Sequence, residues 1–178
     1  MTITELFTRA GLNNFLSSNS SAIDAEVSQV YYDSRKIKPG AVFVAIKGIK
    51  SDGLNYVGEA LDRGAVVIVS EEPRPKASNV PWIKVTNVRQ ILAKLSATFY
   101  EDPSQELLIV GTTGTNGKTT TTYLVEQVLE SAGMNCGRIS SITHRVSSQE
   151  QNAIHTTPES NDLQRLLREM VDHKCDAC

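Results

Sequence analysis

Cysteine is scarce in this chain of 178 residues: there are three, Cys136, Cys175 and Cys178. An odd, sparse set excludes a disulfide scaffold. The last two have C-x-x-C spacing, but no second ligand pair accompanies them, so neither zinc nor a redox centre is expected there. Aromatic residues make up only 6%, which argues against base-stacking platforms. Neither sign of charge dominates, with 18 Lys and Arg against 20 Asp and Glu. Without a basic block or an acidic tail, nucleic acid is not an expected partner. No apolar run approaches the roughly 20 residues that cross a bilayer. The first residues, Met1-Thr2-Ile3-Thr4-Glu5-Leu6-Phe7, lack the basic start and apolar run of a signal peptide. The sequence therefore reads as cytoplasmic, not inserted in a membrane, and shows no sign of an obligate protein partner.

What is present is the balance of a globular protein, 40% apolar and 21% charged, with room for one domain or two small ones. A charged, Pro-containing stretch at 71–76 reads as a surface loop, and residues 100–105 read as a linker between domains. Before the linker, helices are expected at 4–10, at 56–63 with Gly64 as the stop, and along the stripe Val88, Ile91, Leu92, Leu95 and Phe99. Strands are expected at 27–32, 41–46, 66–70 and 82–85, the first two joined through a turn at Lys38-Pro39-Gly40.

After the linker, a strand at 107–110 leads into a Gly- and Thr-rich loop. Leu124, Val125, Val128, Leu129 and Ala132 then repeat at helical spacing as a core-facing stripe, with Gly133 ending the helix. Residues 147–152 read as a hairpin tip or loop. Leu163, Leu166, Leu167, Met170 and Val171 mark a further helix, with Thr157 as its N-cap and Pro158 at its first position. His144 and His173 read as surface residues.

The loop Gly111-Thr112-Thr113-Gly114-Thr115-Asn116-Gly117-Lys118-Thr119-Thr120 carries the chemistry. Gly114 and Gly117 allow a tight turn that aims N–H groups at phosphate oxygens. The following helix adds its N-terminal partial positive charge. Lys118 can set an ammonium against the β- and γ-phosphates, and the Thr119 hydroxyl is placed to ligate Mg²⁺. The match to G-x-x-x-x-G-K-[ST] is imperfect, because its first glycine falls on Thr112. The order of strand, loop, Lys-Thr and amphipathic helix nevertheless points to a nucleoside triphosphate, ATP.

At this loop the chain resembles the Mur ligase family, whose loop T-G-T-N-G-K-T-T is met without mismatch from Thr113 to Thr120. The resemblance extends to Asp33-Ser34-Arg35, the run from Pro39 to Ala45, Ser51-Asp52-Gly53, residues 89–100, Pro103-Ser104, and Thr156-Thr157-Pro158-Glu159-Ser160 with Asp162-Leu163-Gln164 after it. It covers nearly everything from Val27 onward, and its likeness is to the branch that forms the UDP-muramyl tripeptide.

The resemblance implies an α/β fold. A small mixed UDP-binding domain, residues 1–102, would precede a truncated P-loop ATPase domain of the family's central type, residues 103–178, with a mostly parallel sheet. It implies an ATP- and Mg²⁺-dependent ligase of peptidoglycan synthesis. That ligase adds L-lysine or meso-diaminopimelate to UDP-N-acetylmuramoyl-L-alanyl-D-glutamate through an acyl phosphate. Gly114, Thr115, Asn116, Gly117, Lys118, Thr119 and Thr120 would bind ATP, with Lys118 and Thr119 catalytic and Thr119 on the metal. Tyr32, Ser34, Ile49, Lys50, Ser51, His155, Thr156 and Thr157 would hold the UDP-muramyl peptide; Ser34 could donate its hydroxyl to a diphosphate or uracil oxygen. The Glu and carbamylated Lys that the family uses further along lie at no position of this sequence. An N-terminal fragment without ligase activity of its own is thus expected, with bare sheet edges at 107–110 and 136–139. A non-catalytic UDP-sugar or ATP-binding module and a different P-loop NTPase remain open as alternatives.

Overall fold

The computed structural model describes residues 1–16, 25–48, 51–75, 80–153 and 156–178. They form two compact units, Met1–Phe99 and Tyr100–Cys178.

The first unit is built on a four-stranded sheet. Its strands are β1 (Gln29–Tyr31), β2 (Ala41–Val44), β3 (Ala65–Ser70) and β4 (Trp82–Lys84), in the order β1-β2-β3-β4, and every pairing is parallel. Parallel neighbours need crossovers, so the sheet is covered on both faces and its strands are mostly apolar, with Gln29, Ser70 and Lys84 only at their ends. All four residues of β2 are buried. The two-residue period sorts them: Val42 and Val44, with Val67, Val69 and Ile83, face the helices α1 (Ile3–Arg9) and α3 (Val88–Phe99). Phe43, Ile68 and Trp82 face the other way, toward Ala60 of α2 (Val57–Asp62).

α1 starts with a capping box, in which Glu5 N donates to Thr2 Oγ1 at 3.2 Å and Thr2 N to Glu5 Oε2 at 2.8 Å. The α3 stripe is buried from Val88 to Leu95. β1 and β2 are joined through a 3-10 turn at Ser34–Lys36 before the chain reaches Gly40. α2 ends at Asp62 with Arg63 as its C-cap, and at the following Gly64 φ is +98° and a Cβ would stand 2.8 Å from Pro39 Cα, so no other residue fits without displacing backbone.

The second unit contains α4 (Lys118–Ser131), β5 (Arg138–Ile139), β6 (Thr143–Val146), β7 (Gln149–Asn152) and α5 (Ser160–Asp172). Its regular sheet, β5-β6-β7, is antiparallel. This corrects the mostly parallel sheet expected here. Among the described residues of this unit, parallel pairing is confined to bridges from Ala177 to Leu108 and to Cys136. Leu108 N donates to the Asp176 carbonyl, and Cys178 N to the Leu108 carbonyl, both at 2.9 Å. Residues 107–110 are thus extended but too sparsely bonded to form a regular strand. The edges expected to be bare, at 108 and 136, share residue 177 between them.

Three local readings also change. The hairpin tip is only Ser147 and Ser148, because 149–152 pair as β7 against β6. α5 begins at Ser160 with Glu159 as its N-cap, so Thr157 and Pro158 stand before the helix rather than capping it. The stripe on α4 is not core: Leu124 is 63% and Val128 68% exposed. The buried residue of that helix is Glu126, turned inward by two arginines. α5 does bury Leu166, Leu167 and Met170, against Leu107, Val146 and Cys175. Among the described residues no helix is long and apolar enough to cross a membrane.

His144 is half-buried on β6, not a surface residue. Burial lowers its pKa from the usual value, assisted by Arg165 and opposed by the Thr143 backbone and Asp162. The folded state therefore disfavours protonated His144. Its contribution is complete above about pH 6.5, the ordinary histidine value, and is lost as pH falls through the lowered one. Nuclear magnetic resonance titration is expected to place His144 below 6.5. His144→Asn is expected to flatten the loss of thermal stability as pH falls below about 6.5; an unchanged slope would assign that loss to other groups.

Candidate functional site

The Gly-rich loop of the second unit runs from an extended segment into α4, whose first residue is Lys118. Gly117 is the N-cap at φ +78°, and Gly114 has φ +145°. Both are left-handed or glycine-only conformations, and they allow the chain to double back just before the helix. The Lys118 ammonium donates to the Gly114 carbonyl at 2.6 Å and so spans the loop. Thr122 Oγ1 donates to the Lys118 carbonyl at 2.8 Å and lies 3.2 Å from Thr112 Oγ1, tying the loop's entry to the first helical turn. The first-turn amides of a helix have no intrahelical partner and carry its positive end.

Beside the loop is a cavity of about 280 Å³. Its walls include Gly111, Lys118 and Thr119 from the loop and helix, Arg138 and Ser141 from β5 and the turn after it, and Thr156, Thr157 and Pro158 from the segment before α5. The structure therefore brings Lys118 and Thr119 together with Thr156 and Thr157, across nearly forty positions of sequence. Gly114, Thr115, Asn116, Gly117 and Thr120 are exposed and outside the cavity wall. Tyr32, Ser34 and Ser51 belong to the first unit. Ile49, Lys50 and His155 lie outside the described residues.

Ser34 is buried, and its hydroxyl donates to Glu59 Oε2 at 2.6 Å; Glu59 in turn pairs with Arg63 at 3.1 Å. Its proton is committed, so the donor role toward a ligand oxygen is taken and only acceptor capacity remains. The Tyr32 ring stacks on Tyr31, with centroids 6.1 Å apart. Beside them Asp33 caps the 3-10 turn, and the Arg35 side chain holds its carboxyl below the usual range.

Sequence reasoning missed Arg138, Glu126 and the pair Ser140-Ser141. Arg138 is 5% exposed. It pairs with Glu126 and Glu150, donates to Thr143 Oγ1 at 3.1 Å, and lies 3.8 Å over the Tyr123 ring. Arg145 reaches Glu126 Oε1 at 2.8 Å and also pairs with Glu130. This network ties α4 to the β5-β6-β7 sheet. Nothing in a single sequence marks which arginine will be buried. The Ser-Ser doublet directly after Arg138-Ile139 was the available signal.

No group of three or more His, Cys, Asp or Glu that could hold a metal occurs among the described residues. The donor set at the cavity is hydroxyl oxygen. It suits a hard cation such as Mg²⁺, which takes few protein ligands and completes its shell with water and phosphate oxygen. Burial pushes the Cys178 thiol up to about 12, so it stays protonated at neutral pH.

Glu126→Gln would leave Arg138 buried with half its charge compensation gone. Urea unfolding is expected to show the second unit destabilised by about 3 kcal/mol. A loss under about 1 kcal/mol would reduce the pair to the level of a surface contact.

Comparison with known proteins follows the same two units. Residues 26–100 match the family model described as "Mur ligase family, catalytic domain", and residues 112–178 match the "Mur ligase middle domain". The chain is 41% identical, over 152 residues, to the UDP-N-acetylmuramoyl-L-alanyl-D-glutamate–2,6-diaminopimelate ligase of Alkaliphilus metalliredigens, covering 85% of this chain and 31% of that protein. It is also 41% identical, over 156 residues, to the ligase of the same name from Geobacter metallireducens, covering 88% and 30%. The chain thus spans about a third of the length of these relatives. A solved structure of a UDP-N-acetylmuramoyl-L-alanyl-D-glutamate–2,6-diaminopimelate ligase superposes with a TM-score of 0.72 at 24% identity, over 92% of this chain and 34% of that one, which shows the α/β fold. With two models of one family matching successive parts of the sequence, and relatives this similar along most of it, the chain belongs to the Mur ligase family.

Proposed function

We propose that this chain supplies the UDP-precursor unit and the nucleotide loop of an ATP-dependent ligase of peptidoglycan synthesis. Its acceptor would be UDP-N-acetylmuramoyl-L-alanyl-D-glutamate and its added amino acid 2,6-diaminopimelate, the compound named in the relatives that it resembles at 41% identity. The observation that carries the reading is the shared cavity: Lys118 and Thr119 on one wall, Thr156 and Thr157 on another. A space of about 280 Å³ suits the two reacting ends, a terminal phosphoryl group and a carboxylate, rather than two whole substrates.

In this reading the D-glutamyl γ-carboxylate attacks the γ-phosphorus of ATP. The bond to the bridging oxygen breaks, ADP leaves, and an acyl phosphate forms. The amine of the diamino acid then attacks the acyl carbon. The tetrahedral intermediate expels phosphate, the amine loses its proton, and an amide remains. Lys118 and the first-turn amides of α4 neutralise charge on the transferring group. Thr156 and Thr157 hold the muramyl peptide so that its carboxylate meets the phosphorus in line. Thr119 would hold Mg²⁺, which supplies further charge neutralisation when bound. In the first unit, Ser34 offers lone pairs to an N–H of the uracil ring, with Tyr32 nearby in sequence and Ile49, Lys50 and Ser51 as further candidates. The remaining loop residues, Gly114 to Gly117 and Thr120, wrap the phosphates through backbone N–H groups.

Lys118→Ala is expected to weaken ATP binding to this chain by about tenfold or more, the scale of one lost charged hydrogen bond. In a ligase-competent protein carrying this sequence it is expected to remove most amide formation. Lys118→Arg is expected to fail as well, since a planar fork does not replace a point charge. A folded variant with undiminished binding and turnover would sink the assignment.

Residues 1–102, prepared alone, are expected to fold and to bind UDP-sugar but not ATP. Calorimetry checks this. ATP binding by that piece, or no UDP-sugar binding at millimolar concentration, would reject the division of labour between the units.

A further inference from the structure

We propose that Ser141 is a positioning residue for the divalent cation: its hydroxyl accepts the proton of Thr119 and so turns a Thr119 lone pair toward the metal. The inference rests on the reading of Thr119 as the cation's hydroxyl ligand.

The geometry comes first. Thr119 Oγ1 and Ser141 Oγ lie 2.9 Å apart, and both residues line the cavity. Thr119 is the second residue of α4, so its backbone is fixed by the helix. Ser141 is fixed by its neighbour. The Ser140 side chain is buried; its hydroxyl donates to the Thr143 carbonyl at 2.9 Å and accepts from Ile142 N at 3.3 Å and Thr143 N at 3.2 Å. Ser140 N also donates to the Thr143 carbonyl, at 3.1 Å. Thr143 is in turn held by Arg138 at 3.1 Å and by its own donation to Glu150 at 2.6 Å. The turn that presents Ser141 is therefore closed without any help from the Ser141 hydroxyl.

The chemistry then sets the polarity. Between two hydroxyls either can donate, so the hydrogen bond has no intrinsic direction. A cation on Thr119 removes that freedom. A hydroxyl that gives a lone pair to a metal must point its proton away, and an acceptor within reach is Ser141 Oγ. Ser141 then turns its own proton away from Thr119, toward the remaining space at the cavity wall. Partners of this kind, which do not touch the metal but orient its ligand, commonly change metal affinity by about 10- to 100-fold.

The readout is the ratio of ATP dissociation constants in EDTA and in excess Mg²⁺, measured by calorimetry on the 178-residue chain. In Ser141→Ala this ratio is expected to fall about tenfold. Affinity in EDTA is expected to stay within about twofold, the spread of independent sites. Ser141→Thr keeps a hydroxyl at the same carbon and is expected to restore the ratio, whereas Ser141→Val is expected to behave as Ala does. Thr119→Val is expected to collapse the ratio, and adding Ser141→Ala to it is expected to cost nothing more.

A normal ratio in Ser141→Ala, beside a collapsed one in Thr119→Val, overturns the inference and leaves the reading of Thr119 standing. Equal losses in EDTA and in Mg²⁺ would make Ser141 a phosphate contact or a structural residue, and also overturn it. A ratio indifferent to Thr119→Val, or no ATP binding by the unsubstituted chain, overturns the reading of Thr119 and the inference together.

Discussion

The second unit depends on a buried charge pair. Glu126, on the inner face of α4, meets Arg138 on β5, and both are almost fully removed from water. Two such groups are costly to bury apart and tolerable together, so they behave as a lock: Glu126 meets Arg138 and Arg145 only when the helix is in register with the sheet. The lock has a directional consequence. It sets the rotation of α4 about its axis, and so decides which way Thr119 points, seven positions before Glu126. It also anchors the strand that leads into the turn carrying Ser140 and Ser141. Arg138 has one face on the Tyr123 ring and lines the cavity, so the same side chain ties helix, sheet and cavity wall together.

The first unit is organised by a different constraint. Its sheet is parallel and covered on both faces, so the middles of its strands are apolar and its polar groups are displaced to the strand ends and the segments after them. Tyr32 and Ser34 follow β1 directly, which is where an α/β sheet offers space for a ligand. The pairing of Ser34 with Glu59 narrows what that end can do. A serine hydroxyl that donates to a carboxylate keeps only its lone pairs for other partners, so Ser34 is held as an acceptor while it is bonded to Glu59.

Much of the fold was legible beforehand, and the reasons are local. β2 and β3 are short apolar runs between turn signals, and α3 carries five apolar residues on one face. The loop from Gly114 to Thr119 was legible because its chemistry is encoded in consecutive residues. The failures share one cause. Leu124 and Val128 have the spacing of a core stripe, yet periodicity states only that a face is apolar, not that anything covers it. Thr157-Pro158 has the composition of a helix start, but the helix begins two residues later, at a residue with no side-chain cap bond. Residues 107–110 have strand composition, but their pairing depends on residues 176–178, far away in the chain.

The order of elements, the glycine-rich loop with Lys118 and Thr119, and the Thr156-Thr157 pair were determined by the sequence itself, because each depends on residues adjacent in the chain or on a short period. The tertiary structure decided what meets what. It set Thr156 and Thr157 across a cavity from Lys118, hydrogen-bonded the Ser34 hydroxyl to Glu59, buried Arg138 against Glu126, and brought Ser141 within 2.9 Å of Thr119. Those pairings span 12 to nearly 40 positions, and no local propensity encodes them. They are fixed by which faces of helix and sheet can be buried together while buried charges such as Glu126 and Arg138 meet opposite ones.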